Sequence, residues 1–206
     1  MPSQKVPFLL SVTLTLTLAL IGCSSSPQVT RMAVEEEADL SGKWNDVDSR
    51  MVSEKMIGDC LNSPWIQRFE QRRPDQPPVV IVQSVRNRSH EHINTQTFIK
   101  DLETAMVNSG LVDVVASKDE REELRDERKD QFAGYTNDAT TKSFGEEIGA
   151  DFALQGSINT IKDQIQGEYV IYYQINLELI DIETNRKAWI GEQKIKKNVK
   201  RSKLKW

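Results

Sequence analysis

Apolar and polar residues alternate over 169–182: Ile171, Tyr173, Ile175, Leu177 and Leu179 fall on one side, and Gln174, Asn176 and Glu178 on the other. A period of two sends successive side chains to opposite faces of a strand, so this stretch predicts a half-buried strand in an antiparallel arrangement. It is expected at the centre of its sheet. Burying its five large apolar residues contributes on the order of 10 kcal/mol before entropy is subtracted. Residues 151–166 alternate more loosely, Gly167-Glu168 marks a turn, and Ala188-Trp189-Ile190 opens a return strand. Asn185, in the turn at 181–186, tolerates a left-handed backbone. Together these segments predict a three-stranded meander.

Upstream the period becomes helical. Asn45 and Asp46 cap a helix whose stripe is Val47, Met51, Val52, Met56 and Ile57. Ser63-Pro64 opens a short second helix with Trp65, Ile66 and Phe69 on its apolar side, and the proline-rich stretch at 74–78 stops it. The continuous apolar run at 79–82 predicts a strand buried on both faces, leading into a polar loop through about Ile93. Asn94-Thr95 caps a helix with Phe98, Leu102, Ala105, Met106 and Val107 in its stripe, Gly110 ends it, and 112–116 forms a strand. Such a β-α-β unit implies parallel strands. Ser117 caps a charged helix over 118–131, and Asn137-Asp138 is expected to open another over 139–148. The predicted class is α/β (α+β): a mixed sheet with a parallel β-α-β part, an antiparallel C-terminal meander and helices on both faces.

The charged helix has Leu124 as its only apolar residue between Ser117 and Asp130, with Arg121, Arg125 and Lys129 four apart and Asp119, Glu123 and Glu127 likewise. Like charges at this spacing cost a few tenths of a kcal/mol each. It is either a bipolar surface facing a partner or a solvated excursion touching the body through Leu124 and Phe132.

The chain begins with one cation (Lys5), an apolar run over 8–21 and Leu20-Ile21-Gly22-Cys23. That is the layout of a secretory signal, too short and wrongly flanked for a spanning helix. Its end resembles the lipobox of bacterial lipoproteins, which implies cleavage of 1–22 and lipidation of Cys23. Buried acyl carbons contribute about 0.8 kcal/mol each, so a multiply acylated cysteine anchors the chain without a span. Ser24, rather than Asp, after the cysteine points to the outer membrane. Removing the signal leaves about 184 residues, enough for one sizeable core.

Residues 23–42 read as a lipidated tether, with Ser24-Ser25-Ser26-Pro27 and Glu35-Glu36-Glu37 opposing regular structure. Fully extended, roughly 18 residues reach at most about 60–65 Å. Residues 43–197 form the globular domain and 198–206 a basic tail, continuing a run of cations that includes Lys194, Lys196 and Lys197. The tail is either a contact for anionic head groups or wall polymers, or a solvated extension.

The full chain has a net charge of −4, which gives no reason to expect nucleic acid. With Cys23 lipidated, Cys60 has no disulfide partner, and its helical spacing from Met56 and Ile57 suits a small buried hydrophobe. His90-Glu91-His92 offers two imidazoles without further ligands, a poor zinc site. No phosphate loop, nucleophile elbow or metalloprotease motif is present. No catalytic residue, metal or cofactor is expected; the chain reads as a binding module.

Ser84-Val85-Arg86-Asn87-Arg88-Ser89 before a capped helix resembles the Val-x-Asn-Arg-Thr/Ser strand end of the LpoB-like outer-membrane lipoprotein activators of penicillin-binding proteins. Gly149-Ala150-Asp151-Phe152-Ala153, Asn185-Arg186-Lys187-Ala188-Trp189 and the opening Trp44-Asn45-Asp46 are similar to further motifs of that family, in the same order, across roughly 40–197. The tether is shorter than the Pro-rich one of the family's best-known members, and the charged helix and basic tail are additions. The resemblance implies an α/β domain on the periplasmic side of the outer membrane that binds and activates a peptidoglycan synthase without catalysis of its own. A monomer is expected. The candidate contact residues are Arg86, Asn87 and Arg88 with Trp44 and Arg68, chosen as Arg- and Trp-rich polar positions. The alternative role is a structural lipoprotein subunit of an outer-membrane secretion or assembly complex.

Overall fold

The structure, a computed structural model, describes residues 30–33, 36, 38–39 and 41–200. The expected signal at 1–22, Cys23, most of the tether and the tail residues 201–206 lie outside the described residues. Among the described residues the elements are α1 (Asp46–Leu61), α2 (Trp65–Arg72), β1 (Val79–Arg88), α3 (Thr95–Ser109), β2 (Asp113–Val115), α4 (Lys118–Asp130), β3 (Phe152–Ile165), β4 (Glu168–Asp181) and β5 (Lys187–Lys200). The strands form one mixed sheet in the order β2-β1-β3-β4-β5. β1 runs parallel to β2 and β3, while β3, β4 and β5 pair antiparallel as the expected meander.

The alternation along β4 appears directly in its burial: Ile171, Tyr173, Ile175, Leu177 and Leu179 are buried, and the residues between them are half-buried. β4 is internal but not central; β3 holds the middle, because it alone joins the parallel part to the meander. Gly156 permits the close approach of β3 and β4, since a Cβ there would lie 2.3 Å from the Asn176 carbonyl oxygen.

The α/β class with a mixed sheet is as expected, and α1, α2 and α3 share one face of that sheet. The buried apolar side chains of α1 (Val52, Met56, Ile57, Cys60), α2 (Trp65, Ile66, Phe69) and α3 (Phe98, Ile99, Leu102, Met106) enter one cluster with Val80, Val82, Phe152, Leu154 and the buried side of β4. The opposite side of β4 carries Gln174, Asn176 and Glu178, while at the start of β1 and β3 Ile81 and Ala153, which alternate away from this cluster, are buried as well. α1 opens on a capping box between Asn45 and Asp48, and Gly110 ends α3 at φ 66°. Met51 and Val107, expected in helical stripes, are 51 % and 57 % exposed.

Two further expectations are corrected. β1 continues past its apolar run to Arg88, because after a register shift between Val82 and Val85 it goes on pairing with β3 as far as Arg88–Asn159. The helix expected over 139–148 is absent: those residues form turns and irregular backbone. Asn137 draws the Ala139 amide and the Thr140 and Thr141 hydroxyls to itself, a local competitor of helical bonding. Phe144 stacks on Phe132 at 4.7 Å, and Glu147 takes ion pairs from Arg125 and Arg128 at 2.8 and 2.6 Å. Part of the cationic side of α4 is thus engaged within the chain. Leu124 and Phe132 remain about half exposed.

The incoming chain is clasped before α1 begins. Lys197 on β5 pairs with Asp39 at 2.8 Å and with Asp48 at 2.6 Å, and also donates to the Lys43 carbonyl. The Tyr169 hydroxyl donates to the Ser41 carbonyl at 2.8 Å. Gly42 sits at φ 69° with its Cβ position filled by Val199, so no other residue fits without rearrangement. Burial works against the Lys197 charge, but its hydrogen bonds to Asp39 and Asp48 overcome this and raise its pKa. The same bond from Lys197 holds Asp39 below the usual carboxylate range.

Candidate functional site

The uncovered face of the sheet follows from strand register. Pairing sets Arg86 beside Ser157 and Arg88 beside Asn159 on the parallel side, and Ser157 opposite Asn176 and Gln155 opposite Glu178 on the antiparallel side. These side chains point away from α1, α2 and α3, and all but Asn159 line a shallow concavity of about 210 Å³ with Ser84. Arg86 and Arg88 are exposed and make no salt bridge among the described residues, whereas Glu178 is held by Lys187 at 2.6 Å. Further along this face Gln174 donates to Glu192 at 2.7 Å and Asn159 to Ser157 at 3.2 Å. The result is a hydrogen-bonding surface with two unpaired guanidinium groups at one margin, suited to a polar partner rather than an apolar ligand.

The five residues expected to form one contact surface divide among four places. Arg86 and Arg88 share the open face. Asn87 lies between them and points the other way: its amide donates to the Glu91 carbonyl at 2.8 Å and its oxygen accepts from the Ser89 amide and hydroxyl, so it shapes the loop. Trp44 is half-buried against Phe98 and Tyr173, with ring centroids 6.1 and 5.6 Å away. Arg68, on α2, borders a separate cleft with Arg72, Arg186 and Lys187.

Glu91, in the loop after β1, ties Trp44 and β4 together. Its carboxylate accepts from the Trp44 amide at 3.0 Å and from the Tyr173 hydroxyl at 2.9 Å. Burial, and then the hydrogen bond to Glu91 and its charge, raise the Tyr173 pKa. Cys60 is fully buried, and burial pushes its thiol up to about 12, far from the range of a reactive nucleophile. Among the described residues no three His, Cys, Asp or Glu side chains converge to hold a metal ion, and no helix is long and apolar enough to cross a membrane.

A family model described as peptidoglycan-synthase activator LpoB matches residues 48–195. None of the curated proteins compared with the chain matches it. Among solved structures, the LpoB C-terminal domain from Escherichia coli is similar at 16 % identity and a TM-score of 0.43, covering 75 % of this chain and 99 % of that one. The NMR structure of E. coli LpoB is similar at 15 % identity and a TM-score of 0.41, covering 98 % and 88 %. Lipoprotein GNA1162 from Neisseria meningitidis is similar at 16 % identity and a TM-score of 0.37, covering 62 % and 88 %. The family match, spanning α1 to β5, places the chain; these likenesses add nothing to it.

Proposed function

Because the chain belongs to the family of peptidoglycan-synthase activators named for LpoB, we propose that it binds a penicillin-binding protein and raises its synthetic activity, without catalysis of its own. The match over 48–195 carries this reading. The chain is anchored in the outer membrane, on the periplasmic side, through a lipidated Cys23 after removal of 1–22, and it works as a monomer. The contact surface is the open sheet face, with Arg86 and Arg88 at its margin; Trp44 and Asn87 hold the adjacent loop in shape. Activation is a shift in population: the domain binds the active conformer of the synthase better than the inactive one, and the gain in activity is bounded by that difference in affinity.

The test is glycan polymerisation by a purified bifunctional penicillin-binding protein from the same cells, with and without the purified chain. Stimulation that is lost in Arg86→Glu/Arg88→Glu supports the reading. No stimulation at saturating chain, or turnover of peptidoglycan by the chain alone, overturns it.

A further inference from the structure

We infer that the cleft between α2 and the β4–β5 turn binds a short acidic segment of a protein partner, its carboxylates held by Arg68, Arg72 and Arg186. This goes beyond the proposed contact on the open sheet face and does not depend on it. The cleft has a volume of about 460 Å³ and is lined by four cations, Arg68, Arg72, Arg186 and Lys187, against one carboxylate, Asp181. Of these four cations only Lys187 is in a salt bridge among the described residues. Nearby, Arg73 is bound to Asp151 and Lys187 to Glu178, both at 2.6 Å, but Arg68, Arg72 and Arg186 make no salt bridge among the described residues.

The donors are held in place from both sides. Arg68 and Arg72 stand one helical turn apart on α2, and the Arg72 Nε–H donates to the Arg68 carbonyl at 3.3 Å. Arg186 leaves a turn closed by two bonds of 2.8 Å, Thr184 N–H to the Asp181 carboxylate and Asp181 N–H to the Arg186 carbonyl, with Asn185 at φ 58°. Burial acts to raise the Asp181 pKa, but its bonds to Thr184 and the Arg72 charge hold it below the usual range, so its oxygens are engaged as acceptors. Guanidinium forks bind carboxylates in pairs of parallel hydrogen bonds, which a planar cation on a fixed backbone does better than lysine.

Size and charge narrow the ligand. The volume exceeds what a single phosphate fills, and Gln71 and Thr184 between the cations supply partners for a peptide backbone. Trp65, Phe152 and Ala188 give apolar wall for the methylenes of Glu side chains. The chain as a whole is acidic, at −4, so its long-range field opposes an extended polyanion, whereas a short segment needs only the local cations.

The test measures fluorescence polarisation of a fluorescein-labelled hexaglutamate peptide titrated with the full-length chain at low salt. Saturable binding is expected, weakened tenfold or more in Arg68→Gln/Arg186→Gln. Lys118→Gln/Lys129→Gln, which removes two charges from α4, is expected to leave it unchanged. Thermal unfolding of each variant confirms an intact fold, which the exposure of these four side chains allows. No binding above that of a hexaglutamine peptide, equal weakening in both double variants, or displacement by inorganic phosphate at the peptide's own concentration overturns the inference.

Discussion

Replacing Tyr173 by Phe deletes one oxygen and keeps the ring that packs against Trp44. Tyr173 is fully buried, and its hydroxyl donates to the half-buried Glu91 carboxylate at 2.9 Å. A hydrogen bond to a charged group contributes about 1.5–3 kcal/mol net, and the Trp44 amide remains as a second donor, so Tyr173→Phe costs about 2 kcal/mol. In a domain of this size that lowers Tm by roughly 4–8 °C. Glu91→Gln keeps an acceptor of the same shape and loses only the charge, so it costs about 1 kcal/mol, near the value of a neutral hydrogen bond. Urea unfolding followed by tryptophan fluorescence on the wild type, both single variants and the double variant closes the cycle. A coupling of about 1 kcal/mol or more is expected. If Tyr173→Phe shifts stability by less than about 0.5 kcal/mol, or the two changes simply add, the knot does not hold Trp44 to β4 and the argument fails.

Lys197→Met leaves the buried Asp48 without its cation and should destabilise the domain by about 3–5 kcal/mol, whereas Asp39→Asn, which removes the more exposed partner, should cost under about 1 kcal/mol; the same urea titrations read both. Alkaline stability has a definite sign. Tyr173, Cys60 and Lys197 all bind their protons more tightly when folded. Their contribution is complete below the unfolded pKa values, about 9 for the thiol and about 10 for the phenol and amine, and is lost as pH rises beyond them, each by up to about 1.4 kcal/mol per pH unit. Urea midpoints that stay flat between pH 8 and 11 would contradict this, and Tyr173→Phe should flatten the upper part of the fall. Cys60 should resist a thiol-reactive disulfide reagent in the native chain and react once urea unfolds it; rapid native labelling would show the thiol to be accessible. Ala at Gly156 drives a methyl against the Asn176 carbonyl and Leu177, and circular dichroism in urea should show a loss of about 1–3 kcal/mol.

How far the fold is legible in the sequence varies with the source of the signal. β4 is readable because one face meets the core and the other meets water, so the residue types alternate with the pleat. β1 is not, beyond Val82: its second half, through Arg86 and Arg88, is held by pairing with β3, and exposed polar residues carry no local sign of that pairing. The missing helix after Asn137 shows the converse, a cap signal with no apolar stripe to bury once Phe144 is committed to Phe132. The same limit governs the contact residues. Arg86 and Arg88 share a face by their spacing of two, and that spacing sets Asn87 on the opposite side. The meeting of Arg68 with Arg186 joins positions far apart in the chain, and no local pattern announces it. Glu91 is equally silent, since nothing about a loop glutamate marks it as the acceptor for a buried tyrosine.

The clasp at Asp39 and Ser41 fastens the incoming chain beside the β3–β4 turn, while Arg68 and Arg186 stand at the far end of β4. At a rise of about 3.3 Å per residue, β4 sets these two ends roughly 40 Å apart. The sheet is therefore a spacer as well as a scaffold. It sets whatever the guanidinium end grips that far from the point where Asp39 and Ser41 are fastened, and a pull on those residues is borne lengthwise by the strands, a direction in which many ladder bonds share the load.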